Sequence, residues 1–123
     1  MYTNTLKLNN GVEIPQLGLG TWFIDDDKVA DAVKAAVEIG YRHIDTAQAY
    51  GNERGVGEGV RTCGIPREEL FVVSKVAAEH KTYEDAARSI NETLEKMGLD
   101  YLDMMIIHSP QPWVEVNQSE NRY

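Results

Sequence analysis

Four short apolar runs alternate with stretches of helical period, and that alternation confines the chain to an α/β fold with parallel strands. The runs Gln16 to Gly20, Tyr41 to Ile44, Leu70 to Ser74 and Leu102 to Ile107 read as strands. After Asp25-Asp26-Asp27, the residues Val29, Ala32, Val33, Ala36 and Val37 share one helical face, and Gly40 ends that helix. A second helix over Glu53 to Arg61 is weakened by Gly55, Gly57 and Gly59. A third runs from Tyr83 to Met97, with Ala86, Ala87, Ile90 and Leu94 at helical spacing and Gly98 at its end. Strand starts lie roughly 25–30 residues apart, the size of a βαβ unit, so every connection is long enough for parallel pairing. The near-continuous apolar run Leu102 to Ile107 is the mark of a strand buried on both faces.

Ahead of this repeat, residues 5–8 and 12–14 flank Asn9-Asn10-Gly11, a strong hairpin signal. A small β-hairpin is expected within residues 1–15, outside the main repeat. Beyond His108 the chain turns polar, and residues 109–123 read as loop. The whole of 1–123 is expected to form a single domain.

Composition excludes several function classes. The net charge is −8 and the basic residues are scattered, which argues against a nucleic-acid partner. No apolar run approaches the length needed to span a membrane, and Met1 to Asn10 lacks the apolar stretch of a signal peptide. The single cysteine, Cys63, rules out an internal disulfide and zinc sites built from several thiolates, and no metal is expected. A cytoplasmic setting is the default.

Active sites of parallel α/β folds gather at the carboxyl ends of the strands. There the sequence puts Asp45 after the second strand, Tyr50 in the loop that follows, Lys75 after the third and His108 after the fourth. Each residue taken alone is more often a cap, a surface charge or a structural histidine. Together they match carbonyl reduction. A phenol is too weak an acid for neutral pH unless a neighbouring cation favours the phenolate. A carboxylate beside the lysine keeps that cation charged and in place, and a histidine can hydrogen-bond the carbonyl oxygen as charge develops. No nucleophile–base pair of the hydrolase kind is present, so acyl transfer is disfavoured.

Other features read as structural. The spacing Gly55-x-Gly57-x-Gly59 is not the dinucleotide fingerprint and suggests close helix packing. His43, inside the second strand, reads as a packed core histidine, and Cys63 as a small hydrophobe.

The stretch Gly40-Tyr41-Arg42-His43-Ile44-Asp45-Thr46-Ala47-Gln48-Ala49-Tyr50-Gly51-Asn52-Glu53, continuing into Val56-Gly57, resembles the first diagnostic motif of the aldo-keto reductases. Further similar segments are Leu17-Gly18-Leu19-Gly20-Thr21-Trp22, Glu69 to Lys75, and Leu99-Asp100-Tyr101-Leu102-Asp103 leading to Ile107-His108. Carried over residue by residue, the resemblance implies a catalytic aspartate at Asp45, a tyrosine acid at Tyr50, a lysine at Lys75 and a histidine at His108. It implies cofactor contacts from Gly20, Thr21, Trp22 and Asp45, with NADPH as cofactor and NADH possible. The implied substrate is a small-molecule carbonyl compound lying against Trp22, Tyr50 and His108. Many members carry Trp after the histidine, where this chain has Ser109 and Pro110, so Trp22 and Trp113 are expected to supply the aromatic wall.

The resemblance also implies a (β/α)8 TIM barrel, which needs about 200 residues or more. Four strands and three helices amount to the N-terminal half of such a barrel, with a leading β-hairpin. The first and fourth strands are then left without lateral partners. The chain is expected to be part of a longer reductase and to be inactive by itself, because most cofactor contacts would come from the later strands. A polypeptide truly ending at 123 residues would instead form a homodimer. Two further readings of the same fold are a non-catalytic regulatory subunit and a dimerising half-barrel.

Overall fold

The computed structural model describes residues 4–110. Residues 1–3 of the expected hairpin region and 111–123 of the expected loop, Trp113 among them, lie outside the described residues.

The expected hairpin is present. Strands β1 (Thr5–Lys7) and β2 (Glu13–Pro15) pair antiparallel with Leu6 opposite Ile14. Gly11, at φ +86°, makes the turn. The main sheet has four parallel strands in sequence order: β3 (Leu19–Gly20), β4 (His43–Asp45), β5 (Phe71–Val76) and β6 (Met104–Ile107). Helix α1 (Val29–Glu38) joins β3 to β4, α2 (Glu53–Thr62) joins β4 to β5, and α3 (Tyr83–Met97) joins β5 to β6. This is half of a β/α barrel. Among the described residues no helix is long and apolar enough to cross a membrane.

Two differences from the sequence reading bear on the site. The third strand runs on to Val76, so Lys75 lies inside β5 rather than after it, and Asp45 is the last residue of β4 rather than the first beyond it. Strand β6 is also not buried on both faces. Ile106 is 38% exposed and Ile107 72% exposed, because β6 pairs with β5 alone among the described strands. Apolar composition says what a strand can tolerate; neighbours decide what it receives.

Side chains alternate across the sheet with a period of two. Ile44 and Val72 point to the helices and are fully buried with Val29, Val33, Val56 and Met97. Burying each such side chain is worth about 1.5–3 kcal/mol, so this layer between helices and sheet is the main source of stability. Asp45 and Lys75, of opposite parity, emerge on the other face. At the far ends of the strands His43, expected as a packed core histidine, is half-buried on the face opposite the core and is held there by contacts to neighbouring elements. Its ring lies edge-on to Phe71, with centroids 5.2 Å apart, and Nδ1 is 3.0 Å from the Pro15 carbonyl, tying the hairpin to the sheet.

The three glycines of α2 are contact points. A Cβ on Gly55 would strike Asp26 O and Val29 Cγ1 at 2.5 Å, and one on Gly59 would come within 2.7 Å of Val33 Cβ, both on the α1 side. A Cβ on Gly57 would run into the backbone of Met97 at the end of α3. The helix formed despite three poor helix formers because their lack of side chains lets α2 sit close to both neighbours.

Candidate active site

All four chemically distinctive residues converge at the carboxyl end of the sheet. Asp45 closes β4. Tyr50 ends a single 3₁₀ turn, Gln48–Tyr50, whose Tyr50 N–H donates to Ala47 O at 3.1 Å. Lys75 projects from β5, one strand over from Asp45, and His108 follows β6 directly.

Lys75 is the hub. Its ammonium donates to Asp45 Oδ2 at 2.7 Å, to the Thr46 carbonyl at 2.8 Å and to Tyr50 Oη at 3.3 Å. A lysine has three N–H bonds and no lone pair, so these three acceptors use its whole capacity. Tyr50 therefore receives a hydrogen bond from Lys75, and its own O–H is left to point elsewhere. The lysine side chain is only 12% exposed, while Asp45 is 30% exposed.

His108 completes the group. Its ring stands edge-on to the Tyr50 ring, with centroids 6.0 Å apart. Burial pulls the His108 imidazole below the ordinary histidine range, and the Lys75 charge pushes the same way; the carboxylates of Asp45 and Glu79 oppose this without reversing it. At neutral pH the ring is thus uncharged, with one nitrogen a donor and the other an acceptor. Trp22 lies on the other side of Tyr50, centroids 6.4 Å apart, and Phe23 stacks on Trp22 at 4.4 Å. Tyr50, His108 and Trp22 face a cavity of about 590 Å³.

The residues of the β3 turn behave differently from one another. Gly20 and Trp22 are exposed. Thr21 is fully buried, its hydroxyl donating to the Asp45 carbonyl at 2.9 Å. Gly20 and Trp22 thus lie open at the rim, while Thr21 is enclosed and acts as a strut between the turn after β3 and the end of β4.

A buried polar network, not anticipated from the sequence, supports that strut. Asn52 is fully buried; its Oδ1 accepts from Thr46 Oγ1 at 2.7 Å, and its Nδ2 donates to Thr21 O at 2.8 Å and Ile24 O at 3.0 Å. It binds the turn after β3 to the turn after β4. Asn52 immediately precedes α2 and has the look of a helix cap, yet its side chain caps nothing there. Glu53 is likewise buried, and Ser74 donates to it at 2.6 Å from the helix face of β5. The only sequence signal for either residue was its place in the Asp45-to-Glu53 stretch.

A sequence model of the Aldo/keto reductase family matches residues 16–120. The chain belongs to that family. Among curated relatives, it is 48% identical over 108 residues to the 9,11-endoperoxide prostaglandin H2 reductase of Trypanosoma cruzi, covering 87% of this chain and 38% of that protein. It is 47% identical over 108 residues to the glyoxal reductase of Bacillus subtilis, covering 87% of this chain and 39% of the relative. The chain thus spans about two fifths of the length of these relatives. Among solved structures, an aldo/keto reductase of Brucella melitensis superposes with a TM-score of 0.86 at 44% identity, over 89% of this chain and 43% of that one. A Bombyx mori aldo-keto reductase in complex with NADP superposes with a TM-score of 0.80 at 36% identity, over 87% of this chain and 38% of the other. Such partial coverage of larger family members agrees with a half-barrel.

Proposed function

We propose that this chain carries the proton-donor half of the active site of an NADPH-dependent oxidoreductase that reduces aldehydes or ketones to alcohols. The observation that carries the reading is the lysine hub: all three N–H bonds of Lys75 are spent on Asp45, Thr46 and Tyr50. Tyr50 consequently has a proton to give, aimed away from the cation that will steady the phenolate left behind. Asp45 holds Lys75 in position. His108, uncharged at neutral pH, offers one ring N–H to the same carbonyl oxygen that Tyr50 protonates. Trp22 supplies an aromatic wall for the substrate.

A reduced nicotinamide, when bound, supplies the hydride to the carbonyl carbon. The open, uncharged rim of Gly20 and Trp22 beside Tyr50 and Asp45 suits a flat neutral ring of that kind, and those residues would hold it. The phosphates of a dinucleotide would take their partners from the remainder of the protein. The NADP complex of the Bombyx mori relative supports NADPH, and the glyoxal reductase of Bacillus subtilis supports a small carbonyl substrate. Among the described strands β6 pairs with β5 alone, which supports a sheet that takes further strands on that side.

The test is Tyr50→Phe in the full-length protein, with turnover of glyoxal followed by loss of NADPH absorbance. Removing a positioned general acid costs about 10²–10⁴-fold in kcat. The phenylalanine ring retains the contacts to Trp22 and His108, so NADPH affinity should stay within about twofold. Turnover equal to the wild type would overturn the proposal.

A further inference from the structure

One polar side chain in the wall of the cavity has no part in that chemistry. Gln48 stands two residues before Tyr50 on the same 3₁₀ turn. Its Nε2 donates to Ser89 Oγ at 3.0 Å and to Thr93 Oγ1 at 3.2 Å, and its Oε1 accepts from the backbone N–H of Ala77 at 2.8 Å. Ser89 and Thr93 are buried and lie one turn apart on α3. Ser89 spends its own proton on Ala86 O at 2.8 Å, so its oxygen must accept from Gln48, which settles the orientation of the amide. Ala77 lies two residues past Lys75.

A single amide thus joins three elements: the turn that carries Tyr50, the end of the strand that carries Lys75, and α3. The Lys75–Tyr50 hydrogen bond is the longest of the three that Lys75 makes, 3.3 Å against 2.7 and 2.8 Å. A bond already near the limit of useful length is the first to go when its turn shifts by a few tenths of an ångström. The flanks of this turn are tied through the backbone of Thr46 and through Asn52, and the Tyr50 ring packs against Trp22 and His108, but these ring contacts do not fix the distance from Tyr50 Oη to Lys75.

We infer that Gln48 is a positioning residue, holding the Tyr50 phenol against the Lys75 ammonium by tying its turn to α3 and to the end of β5. This rests on the reading of Tyr50 as the proton donor, and its test includes a readout independent of turnover. In the full-length protein, Gln48→Leu removes all three bonds at similar volume. Thr93→Val removes one acceptor on α3, with little change of shape, and serves if the first variant fails to fold.

Misplacement of a reacting group by about an ångström can cost 10²-fold, and a smaller shift is expected here. Gln48→Leu should lower kcat about tenfold while the NADPH dissociation constant stays within about twofold. Thr93→Val should lower kcat by less and add little in the double variant, since both act on one brace. The Cζ resonance of Tyr50 in tyrosine-labelled protein should move in Gln48→Leu and, less, in Thr93→Val, because it senses the Lys75 hydrogen bond. A lowered melting temperature with unchanged kcat and an unmoved Tyr50 resonance would make Gln48 a stability residue only and overturn the inference. If the wild type reduces no aldehyde with NADPH, the proposed function fails by itself. The Tyr50 resonance then decides the positioning role: movement supports it, and no movement refutes it.

Discussion

Replacing Gly57 with alanine would set a methyl group against the carbonyl oxygen and Cα of Met97 and within 2.6 Å of its carbonyl carbon. Two opposing effects can be weighed. In an unobstructed helix interior, Gly→Ala stabilises by about 1 kcal/mol through helix propensity. Overpacking a tight contact costs about 1–3 kcal/mol, and more when the neighbour cannot rotate away. Here the neighbour is backbone in the last turn of α3, beside a Met97 side chain that is itself fully buried, so the upper end of that range applies. The net expectation is a loss of about 2 kcal/mol. In a protein of 150–250 residues that corresponds to roughly 4–8 °C in Tm. The assay is urea unfolding of the full-length protein, comparing midpoints at equal slope. Gly20→Ala is the control, because a Cβ there meets nothing within 4 Å and Gly20 has no positive φ; it should change stability by less than about 0.5 kcal/mol. A Gly57→Ala protein as stable as the wild type would refute the close-packing account of the α2 glycines.

Lys75→Met should abolish most turnover, because it takes away the cation beside Tyr50 and the partner of Asp45. It should also cost about 2 kcal/mol of stability, less than the 3–5 kcal/mol of a fully buried broken pair, since Asp45 is 30% exposed; a stability equal to the wild type in urea would contradict this. For His108 the folded pKa lies below its ordinary value of 6.5. The unfolded chain therefore binds the proton more readily, and this residue's contribution to stability is present above about pH 6.5 and is lost as the pH falls through the folded value. His108→Gln should flatten that acid-side slope in urea midpoints measured between about pH 5 and 8, and parallel profiles would count against the burial argument. Asn52→Leu, close in size, takes the amide partner from Thr46 Oγ1 and from the Ile24 carbonyl, and leaves the Thr21 carbonyl with the Ile24 N–H alone. Each such loss costs about 1–3 kcal/mol, so about 3 kcal/mol in all is expected from thermal unfolding, and a loss below about 1 kcal/mol would show that the network carries little weight.

Much of the fold was legible from the residues because each strand and helix announces itself locally. The Asn-Gly turn, the terminal glycines Gly40 and Gly98 and the apolar stripe of α1 all act over a few residues, and α3 runs over the expected Tyr83–Met97. The meeting of Asp45, Tyr50, Lys75 and His108 was legible for a related reason: strands that pair parallel bring their carboxyl ends to one side. Their roles in catalysis rest on the proposal above. Less legible was where strands stop. Lys75 lies inside β5 because pairing with β6 carries the ladder on to Val76, a fact about the neighbour and not about the run Leu70 to Ser74.

By itself, then, the sequence determined an α/β order, the hairpin, the helix limits and which residues sit at the carboxyl ends of the strands, since local periodicity and turn chemistry suffice for those. Only tertiary structure decided that Lys75 spends its three protons on Asp45, Thr46 and Tyr50, that Thr21 is buried while Trp22 is open, and that Gln48 and Asn52 reach across to other elements. Those bonds join residues some 25 to 45 positions apart. Hydrogen bonds at such separations depend on how helices seat on the sheet, down to the methyl-sized gaps at Gly55, Gly57 and Gly59, and no local pattern in the chain encodes that seating.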